Sequence, residues 1–270
     1  DIMKLFSCLF IAVFTVWGGM VWWMDIRDVH QADGVAVWQS LFNGKNLDNW
    51  ERYLGPAFPG HEELEKTATK ENVFSIVMLD EIPVIRISGE MHGSLVTKES
   101  FENYHLRVVY RWGEQVTLER NSGLLYHSYG PLGTAFGTWM ASVECQMMHD
   151  NLGDTFLMVD SVECSTRVDS LHNQFVYNSS AQFVDFGQRF HRRMIRKTHN
   201  AEKSLGEWNT LELICIGQKA VHVVNGDTVL VNQGICRRTN GVSYPLTSGR
   251  LQLQSEGAEL FVKEIVVRRL

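Results

Sequence analysis

Apolar and polar residues alternate along most of the chain after residue 40, and hardly any segment has a helical period. The alternation is clearest at residues 104–112 (YHLRVVYRW), where Tyr104 and Leu106 share one face and Arg107 and Arg111 share the other. Because successive side chains of a strand point to opposite faces, this segment predicts a half-buried strand with a basic outer face.

Similar runs predict strands elsewhere in the chain. They lie at residues 84–88, 94–97, 123–127, 142–148, 155–162, 211–216, 220–224, 228–231, 250–254 and 260–268. Asn225 and Gly226 separate two of these runs and predict a tight hairpin, because a type I′ turn needs positive φ at both central positions. Short strands separated by Gly, Asn and Asp turns predict an all-β fold, an antiparallel sandwich or jelly roll.

Two segments depart from this pattern. Residues 61–70 (HEELEKTATK) are rich in Glu and Lys, which indicates a solvated loop or a short surface helix. Residues 171–207 are polar and irregular, and a loop of that length in a sandwich is usually functional or mobile.

The first 24 residues are predicted to be a signal peptide or a membrane anchor. Residues 5–24 carry no charge and follow Met3 and Lys4, as in a secretory signal. The run is also just long enough to span a bilayer uncleaved. Residues 25–40 are then a linker and residues 41–270 a single domain. We therefore expect an exported protein, periplasmic or extracellular, that is either free or held at a membrane by residues 5–24.

Composition and charge narrow the class of protein. Apolar residues make up 44% of the 270 residues, and the chain contains 5 Pro and 22 Gly. This composition excludes a disordered, collagen-like or coiled-coil chain. The formal charge of −6, from 25 basic and 31 acidic residues, argues against nucleic acid as a partner, since its binding depends on Lys and Arg at phosphates.

Four cysteines follow the uncharged segment 5–24: Cys145, Cys164, Cys215 and Cys236. An oxidising compartment allows two disulfides in any of three pairings, and buried free thiols are the alternative. No C-x-x-C or C-x-x-H spacing occurs, which argues against a structural zinc site.

The chain lacks the carboxylate motif of sandwich-type glucanases. Those enzymes carry E-x-D-x-x-E on one strand, with nucleophile and acid about 5 Å apart. Here residues 144–149 read ECQMMH. Glu144 and Gln146 share a face, but Gln cannot be a nucleophile and the second acid is missing. The strand therefore argues against ordinary retaining hydrolysis.

Five motifs in sequence resemble the 3-keto-disaccharide hydrolase family, also described as 3-keto-glucoside 1,2-lyase/3-keto-2-hydroxy-glucal hydratase. They are residues 41–47 (LFNGKNL) with Trp50, 121–126 (NSGLLY), 144–146 (ECQ), 206–209 (GEWN) and 251–257 (LQLQSEG). The resemblance covers residues 41–270. It implies a concanavalin- or laminarinase-like jelly-roll β-sandwich, usually exported by bacteria, that cleaves glycosides oxidised at C3 of the sugar.

The implied chemistry fits the missing carboxylate. A ketone at C3 acidifies the C2 proton, so one base can remove it, the C1 substituent is eliminated and water adds to the product. Net hydrolysis by this route needs a general base, an electrophile at the sugar oxygens and a donor to the leaving group.

Three residues are the first candidates for this site. Glu144 is the predicted base or metal ligand, because a carboxylate in the middle of an apolar strand is costly unless it has a function or a buried partner. His127 is a candidate proton shuttle or ligand, the alternative being a surface imidazole. Gln146 suits hydrogen bonds to sugar hydroxyls.

Other candidates concern substrate binding. Arg107 and Arg111 would clamp sugar oxygens if their face lines the site, and are otherwise solvated. Trp112 and Trp139 are candidate sugar platforms. In the irregular segment, His191 and Arg193 belong either to a substrate-gripping lid or to a basic surface loop; these residues complete the predicted substrate contacts.

A divalent cation is the one cofactor that the sequence suggests. His149, Asp150 and Asp154 lie close together in the turn HDNLGD and are candidate ligands, although Asp-rich turns commonly serve turn geometry alone. Related chains carry an acidic residue where His149 stands, which weakens a metal role there.

Three functions remain open at this point. The first is an enzyme acting on 3-keto-glycosides, and the second is a non-catalytic sandwich that binds oligosaccharides through aromatic side chains. The third is a conventional glucanase, which requires a second carboxylate about 5–10 Å from Glu144 on another strand. All three take a small-molecule or oligosaccharide ligand.

Overall fold

The alternating segments form two antiparallel sheets in a computed structural model that describes residues 37–172 and 174–270. These residues belong to one compact unit that runs from Ala36 to Leu270. The 12 strands of the larger sheet are β1 (Gln39–Ser40), β3 (Phe74–Leu79), β4 (Ile82–Ile87), β7 (Tyr104–Val116), β11 (Val162–Leu171), β12 (Gln174–Tyr177), β13 (Phe183–Phe186), β15 (Asn209–Ile216), β16 (Lys219–Val224), β17 (Asp227–Thr239), β18 (Val242–Pro245) and β20 (Ala258–Arg269).

The smaller sheet has 8 strands and carries the site described below. They are β2 (Trp50–Leu54), β5 (Gly93–Thr97), β6 (Phe101–Glu102), β8 (Gly123–Tyr129), β9 (Ala141–Gln146), β10 (Thr155–Leu157), β14 (Met194–Ile195) and β19 (Ser248–Ser255). The main orders are β12-β11-β17-β16-β15-β7-β20-β4-β3 and β14-β10-β9-β8-β19-β5-β2. The predicted all-β jelly-roll sandwich is confirmed.

The core lies between the inner faces of the two sheets. In β7, Tyr104, Leu106 and Tyr110 are fully buried, as the alternation predicts, and they meet Leu124 and Tyr126 of β8 in one apolar cluster. Burying aromatic and aliphatic side chains of this size contributes about 1.5–3 kcal/mol each. A second, smaller apolar cluster of Leu125, Ala135, Trp139 and Met158 lies outside this core.

A buried polar network joins the sheets beneath the site strands. The Asn232 amide of β17 donates to Thr155 Oγ1 of β10 at 2.8 Å and to Tyr126 Oη of β8 at 3.2 Å. His222 Nε2 lies 3.2 Å from the same Tyr126 oxygen, and burial lowers the pKa of His222 to about 4, so that imidazole is neutral. A network with satisfied partners fixes β8 and β10 against the larger sheet.

The predicted hairpin at Asn225-Gly226 is confirmed. It joins β16 to β17, with φ of 50° at Asn225 and 95° at Gly226. The Asn225 amide also donates to the Ala201 carbonyl oxygen at 2.8 Å, so the turn holds the preceding irregular segment in place.

Two boundaries differ from the sequence prediction. Residues 155–162 divide between β10 and β11, because a turn intervenes. The segment 171–207 is more ordered than predicted and contains β12, β13, β14 and a 3-10 helix at Gln188–Phe190. At residues 61–70 the structure has a short α1 (Leu64–Thr67), and α2 (Lys70–Val73) follows it.

The four cysteines that follow residues 5–24 are free thiols. Cys145, Cys164 and Cys215 are buried and Cys236 is partly exposed, which favours the free-thiol alternative. The predicted signal or anchor at residues 1–24 lies outside the described residues. Within the described part, no helix has the length and apolar content needed to cross a bilayer.

Candidate active site

A cavity of about 300 Å³ opens on the outer face of the smaller sheet. This volume is at the lower end of the range typical of ligand sites. Register brings the strands together here, since Glu144 of β9 pairs with Leu125 of β8 and Gln146 pairs with Gly123. The lining residues are His92, Asn121, Phe136, Trp139, Glu144, Gln146, Phe156, Met158, Met194, Gln254 and Glu256.

Glu144 lies in the floor of this cavity and is 4% exposed. Burial raises the pKa of this carboxyl well above its ordinary value, and the negative charges of Glu256 and Asp154 raise it further. Its Oε1 is buried and has no hydrogen-bond partner among the described residues. The carboxyl is therefore a strong base when ionised and a donor when protonated.

Glu256 supplies the second carboxyl of the cavity, which sequence analysis missed. It follows directly after β19, and burial together with the charge of Glu119 raises its pKa to about 8. The residue lies in the motif LQLQSEG, which contributes to the family resemblance but does not by itself indicate a catalytic carboxyl. The sequence does not bring Glu256 together with Glu144, because it does not show that β9 and β19 lie on either side of β8.

Gly123 makes room for two oxygen atoms above the sheet. A Cβ at this position would lie 2.2 Å from Glu144 Oε1 and 2.2 Å from Gln254 Oε1. A side chain here would displace both groups. The lack of a side chain at position 123 therefore lets these two oxygens lie over the Gly123 backbone in the floor of the cavity.

Three buried oxygens of the cavity lack partners among the described residues. They belong to Glu144, Gln254 and Asn121. Gln252, two residues before Gln254 on the same face, differs because its Oε1 accepts from Ser94 Oγ at 2.8 Å and its amide donates to Ser128 Oγ at 2.8 Å. Leaving a buried acceptor unpaired costs about 1–3 kcal/mol. A polyhydroxylated ligand would satisfy all three oxygens.

Gln146 lies beside Glu144, as predicted. Its Oε1 accepts from the backbone N–H groups of Met147 at 2.9 Å and Met148 at 2.8 Å. These bonds fix the side-chain amide so that its NH₂ group remains available as a donor. The residue can therefore stabilise a negative oxygen in the cavity.

His92 is the imidazole of the cavity, and sequence analysis missed it. Its Nδ1 donates to the Pro56 carbonyl oxygen at 2.9 Å, and burial lowers its pKa. Its ring packs edge-on against Trp139 at 5.7 Å between centroids. The neutral ring therefore has its Nε2 as a proton acceptor.

Trp139 is among the lining residues of the cavity, but it is only 2% exposed and its Nε1 donates to the Gly93 carbonyl oxygen at 3.0 Å, so the sugar platform stays a prediction. Trp112 does not line the cavity. It lies in the main core cluster, on the inner face of β7. The prediction for Trp112 is corrected, since alternation places it with Tyr110 rather than on a surface.

His127 is also away from the cavity. The strand carries a bulge between Tyr126 and Tyr129, and His127 itself has φ of 51°. Its fully buried ring lies against Tyr104 and Tyr126, and burial lowers its pKa to about 4. The structure does not bring His127 and Glu144 into one site, and the predicted shuttle is corrected to a neutral core histidine.

Arg107 and Arg111 lie on the outer face of the other sheet. Arg107 Nε donates to Glu264 Oε1 at 2.7 Å, and Arg111 forms an ion pair with Asp80 at 3.2 Å. They pack over Trp38 and Trp208 respectively. The clamp prediction is corrected, because β7 belongs to the larger sheet.

The two residues of the predicted lid, His191 and Arg193, are not among the residues that line the cavity. His191 is exposed at the end of the 3-10 helix. Arg193 donates to the Leu157 carbonyl oxygen at 2.9 Å and its guanidinium lies 5.2 Å from the ring centroid of Phe156. Arg193 therefore supports a wall residue, and neither side chain lines the cavity.

The predicted cation ligands separate into two groups. His149 and Asp150 come together with Glu202, and their ligand atoms lie within 4.8 Å of one another. Glu202 already accepts from the Asp150 N–H at 2.7 Å and contacts His149 Nδ1 at 3.2 Å, while the Lys197 ammonium donates to the Asp150 carbonyl oxygen. Because Glu202 already bonds both other members of the cluster and the Lys197 ammonium lies beside it, these residues do not fit a divalent cation closely.

Asp154 is not part of that group, which corrects its prediction as a ligand. It is 2% exposed and accepts from Arg196 Nη1 at 2.7 Å and from the Lys197 N–H at 2.8 Å. It is a structural anchor for the chain around β14.

Replacing Asp154 with alanine should lower the free energy of unfolding by about 2–3 kcal/mol, because a buried charge-assisted pair loses its acceptor. Urea denaturation measures the change. Asp160→Ala, which removes an ion pair of Arg193 from a carboxylate that is 72% exposed, should cost less than about 1 kcal/mol. Equal stability of the two variants would contradict the anchor role. A chelator that destabilised the unmodified protein as much as Asp154→Ala does would also contradict it.

Several solved structures have a similar fold. A candidate glycosyl hydrolase of Parabacteroides distasonis is 18% identical, with 87% of this chain and 100% of that chain covered and a TM-score of 0.48. A protein of unknown function with a galectin-like fold from Bacillus subtilis is 10% identical (86% and 94%, TM-score 0.48), and the β-glucanase of Bacillus licheniformis is 12% identical (88% and 100%, TM-score 0.41).

No curated protein sequence matches the chain. A family model does match it, over residues 37–268, and its description is a 3-keto-alpha-glucoside-1,2-lyase-like domain. The match includes both carboxyl residues of the cavity and all the strands of the smaller sheet. The chain therefore belongs to the family of 3-keto-alpha-glucoside-1,2-lyase-like domains.

Proposed function

We propose that this protein cleaves 3-keto-glycosides by removing the C2 proton, eliminating the C1 substituent and adding water. The observation that carries the proposal is the pair of carboxyls in one cavity, Glu144 and Glu256, whose pKa values burial raises. A general base acts best when its pKa is near the working pH, and a raised carboxyl pKa meets that condition.

The reaction takes place in two stages. The base removes the C2 proton, and the electron pair of the C2–H bond forms an enolate with the C3 ketone. The enolate re-forms the ketone, C1 and C2 become doubly bonded, and the C1–O bond breaks as the leaving oxygen takes a proton. Water then adds its hydroxyl at C1 and a proton returns to C2, which completes a net hydrolysis.

The cavity offers one group for each requirement of this route. Glu144 is the base, and Glu256 is the proton donor to the leaving oxygen, because its pKa of about 8 keeps it protonated at neutral pH. The Gln146 amide is held by two backbone bonds and donates to the enolate oxygen. These roles replace those predicted for His127.

A second candidate is conventional two-carboxylate hydrolysis. Glu256 supports it by providing the carboxyl that was missing from β9. However, a retaining nucleophile should be ionised throughout the neutral range, whereas a general base acts best with a pKa near the working pH, and no Lys or Arg is among the residues that line the cavity in the described chain to lower either carboxyl pKa. Two carboxyls with raised pKa values and no neighbouring cation suit an acid–base pair better than a nucleophile.

The test compares a 3-keto-glucoside with its unoxidised parent. We expect release of the aglycone from the 3-keto compound alone, because only its C2 proton is acidic enough for a carboxylate base. Chromatography of the products over time measures both rates, with a chelator present in one series. Equal rates on the two sugars would favour conventional hydrolysis, and binding without turnover of either would favour a carbohydrate-binding sandwich.

A further inference from the structure

A second cavity of about 180 Å³ adjoins the first on the outer face of the smaller sheet. We propose that it is a leaving-group subsite that binds the second sugar of a disaccharide while the oxidised sugar occupies the Glu144 cavity. This inference rests on the proposed function. The lining residues are Gln146, Met148, Asn151, Asp154, Thr155, Phe156, Met194 and Arg196.

The two cavities share a wall. Gln146, Phe156 and Met194 line both of them. Phe156 and Met194 face each other across the β10–β14 pair, and Gln146 ends the neighbouring β9. A ligand that spans both cavities therefore passes this shared wall between its two rings.

The polar groups of the second cavity suit an uncharged hydroxylated ring. Arg196 donates through Nη1 to Asn151 Oδ1 at 3.0 Å and to Asp154 Oδ2 at 2.7 Å, which leaves the rest of its guanidinium without a partner among the described residues. Asp154 balances this charge, and Lys197 lies 3.8 Å from its other oxygen. Directed donors without a large net charge are typical of sugar recognition, and do not select for an anion.

Phe156 gives the shared wall an aromatic surface. Arg193 lies over its ring at 5.2 Å from the centroid, and Phe136 packs beside it at 6.3 Å with a tilt of 36°. These contacts fix the ring orientation while the side chain still lines both cavities. Apolar sugar faces pack on such rings, so the wall serves either of two adjacent sugars.

The experiment fills the second cavity and measures substrate preference. Met148 and Asn151 line that cavity and not the first. We would measure kcat/KM of the unmodified protein, Met148→Trp and Asn151→Ala on glucosyl-glucoses oxidised at C3 and on methyl 3-keto-glucoside. The ratio of kcat/KM for disaccharide over methyl glycoside should fall about tenfold in Met148→Trp, and in the same direction in Asn151→Ala. Met78→Trp, at a position that is 66% exposed on the larger sheet, is the matched control and should leave the ratio unchanged.

A binding measurement separates this inference from the proposed function. Calorimetry with the Glu144→Gln variant would give the Kd of the same compounds with and without Met148→Trp. Tighter binding of the disaccharides that is lost in Met148→Trp supports the subsite, even if neither sugar is turned over and the proposed function fails. A ratio or Kd in Met148→Trp equal to that of Met78→Trp, or no binding of either sugar, overturns the subsite.

Discussion

Replacing Glu144 with glutamine is expected to lower kcat/KM on a 3-keto-glucoside by about 10²–10⁴-fold, because the variant cannot accept the C2 proton. Glutamine keeps the size of the side chain, and its amide can still hydrogen-bond over Gly123, so the loss reports proton transfer rather than shape. Steady-state rates on one substrate measure it. Glu114→Gln, at an exposed carboxyl outside the cavity, is the matched control and should keep the rate. Undiminished activity in Glu144→Gln would exclude this carboxyl as the base.

The same variant should be more stable than the unmodified protein at neutral pH. Burial raises the pKa of Glu144 in the folded state, so keeping this carboxyl folded becomes less favourable as pH rises above its ordinary value. Removing it should raise the melting temperature by about 2–4 °C, which corresponds to roughly 1 kcal/mol in a domain of this size. Loss of activity together with a gain in stability is typical of replacing a residue of the active site. Replacing a carboxyl with a structural role would instead lower both the activity and the stability of the protein.

Side-chain alternation was sufficient to predict which face of a strand each residue occupies. It placed Glu144 and Gln146 together, and both line the cavity. It also placed Tyr104 and Leu106 on the buried face of β7. These predictions hold because the period of two is a property of a single strand and needs no knowledge of its neighbours.

Alternation cannot say to which sheet a strand belongs. Arg107 and Arg111 do face outward from β7, but that strand pairs with β15 and β20 in the larger sheet. Their face is therefore opposite the one that carries Glu144. Strand pairing depends on contacts between residues far apart in sequence, which periodicity does not encode.

Local backbone irregularities and distant partners account for the other differences. His127 would follow Gly123 and Leu125 on the outer face if the period of two continued, but the bulge and its positive φ turn it into the core. Glu256 reaches the cavity from the position directly after β19, and His92 reaches it from the position directly before β5. Neither has a local signal that separates it from a surface residue.

Activity should rise and stability should fall as pH increases towards 8. The base must be ionised, while the pKa of Glu256 is about 8 and that of Glu144 is also raised. Glu144 must lose its proton to act as the base, so kcat/KM should decrease about tenfold for each pH unit below the raised pKa of Glu144, and it should fall again above about pH 8 as the donor Glu256 loses its proton. An acidic limb near pH 4.5, the ordinary carboxyl range, would show that the pair does not govern the rate.

The free energy of unfolding should fall as pH rises, whereas activity should increase, because the unfolded chain releases the protons of these carboxyls at a lower pH than the folded protein does. Between about pH 4.5 and 8 the folded state holds more protons at Glu256, so its contribution is lost as pH rises. His92, His127 and His222 act in the other direction, since burial lowers their pKa in the folded state and adds stability as pH rises through their ordinary value of 6.5. This histidine contribution is the same in every variant, so comparing variants by urea denaturation between pH 6.5 and 8 isolates each carboxyl, and one such group changes the free energy of unfolding by up to about 1.4 kcal/mol per pH unit. Glu256→Gln should flatten this decline while Glu114→Gln keeps it, and parallel curves for the two variants would mean that Glu256 titrates as it does in water.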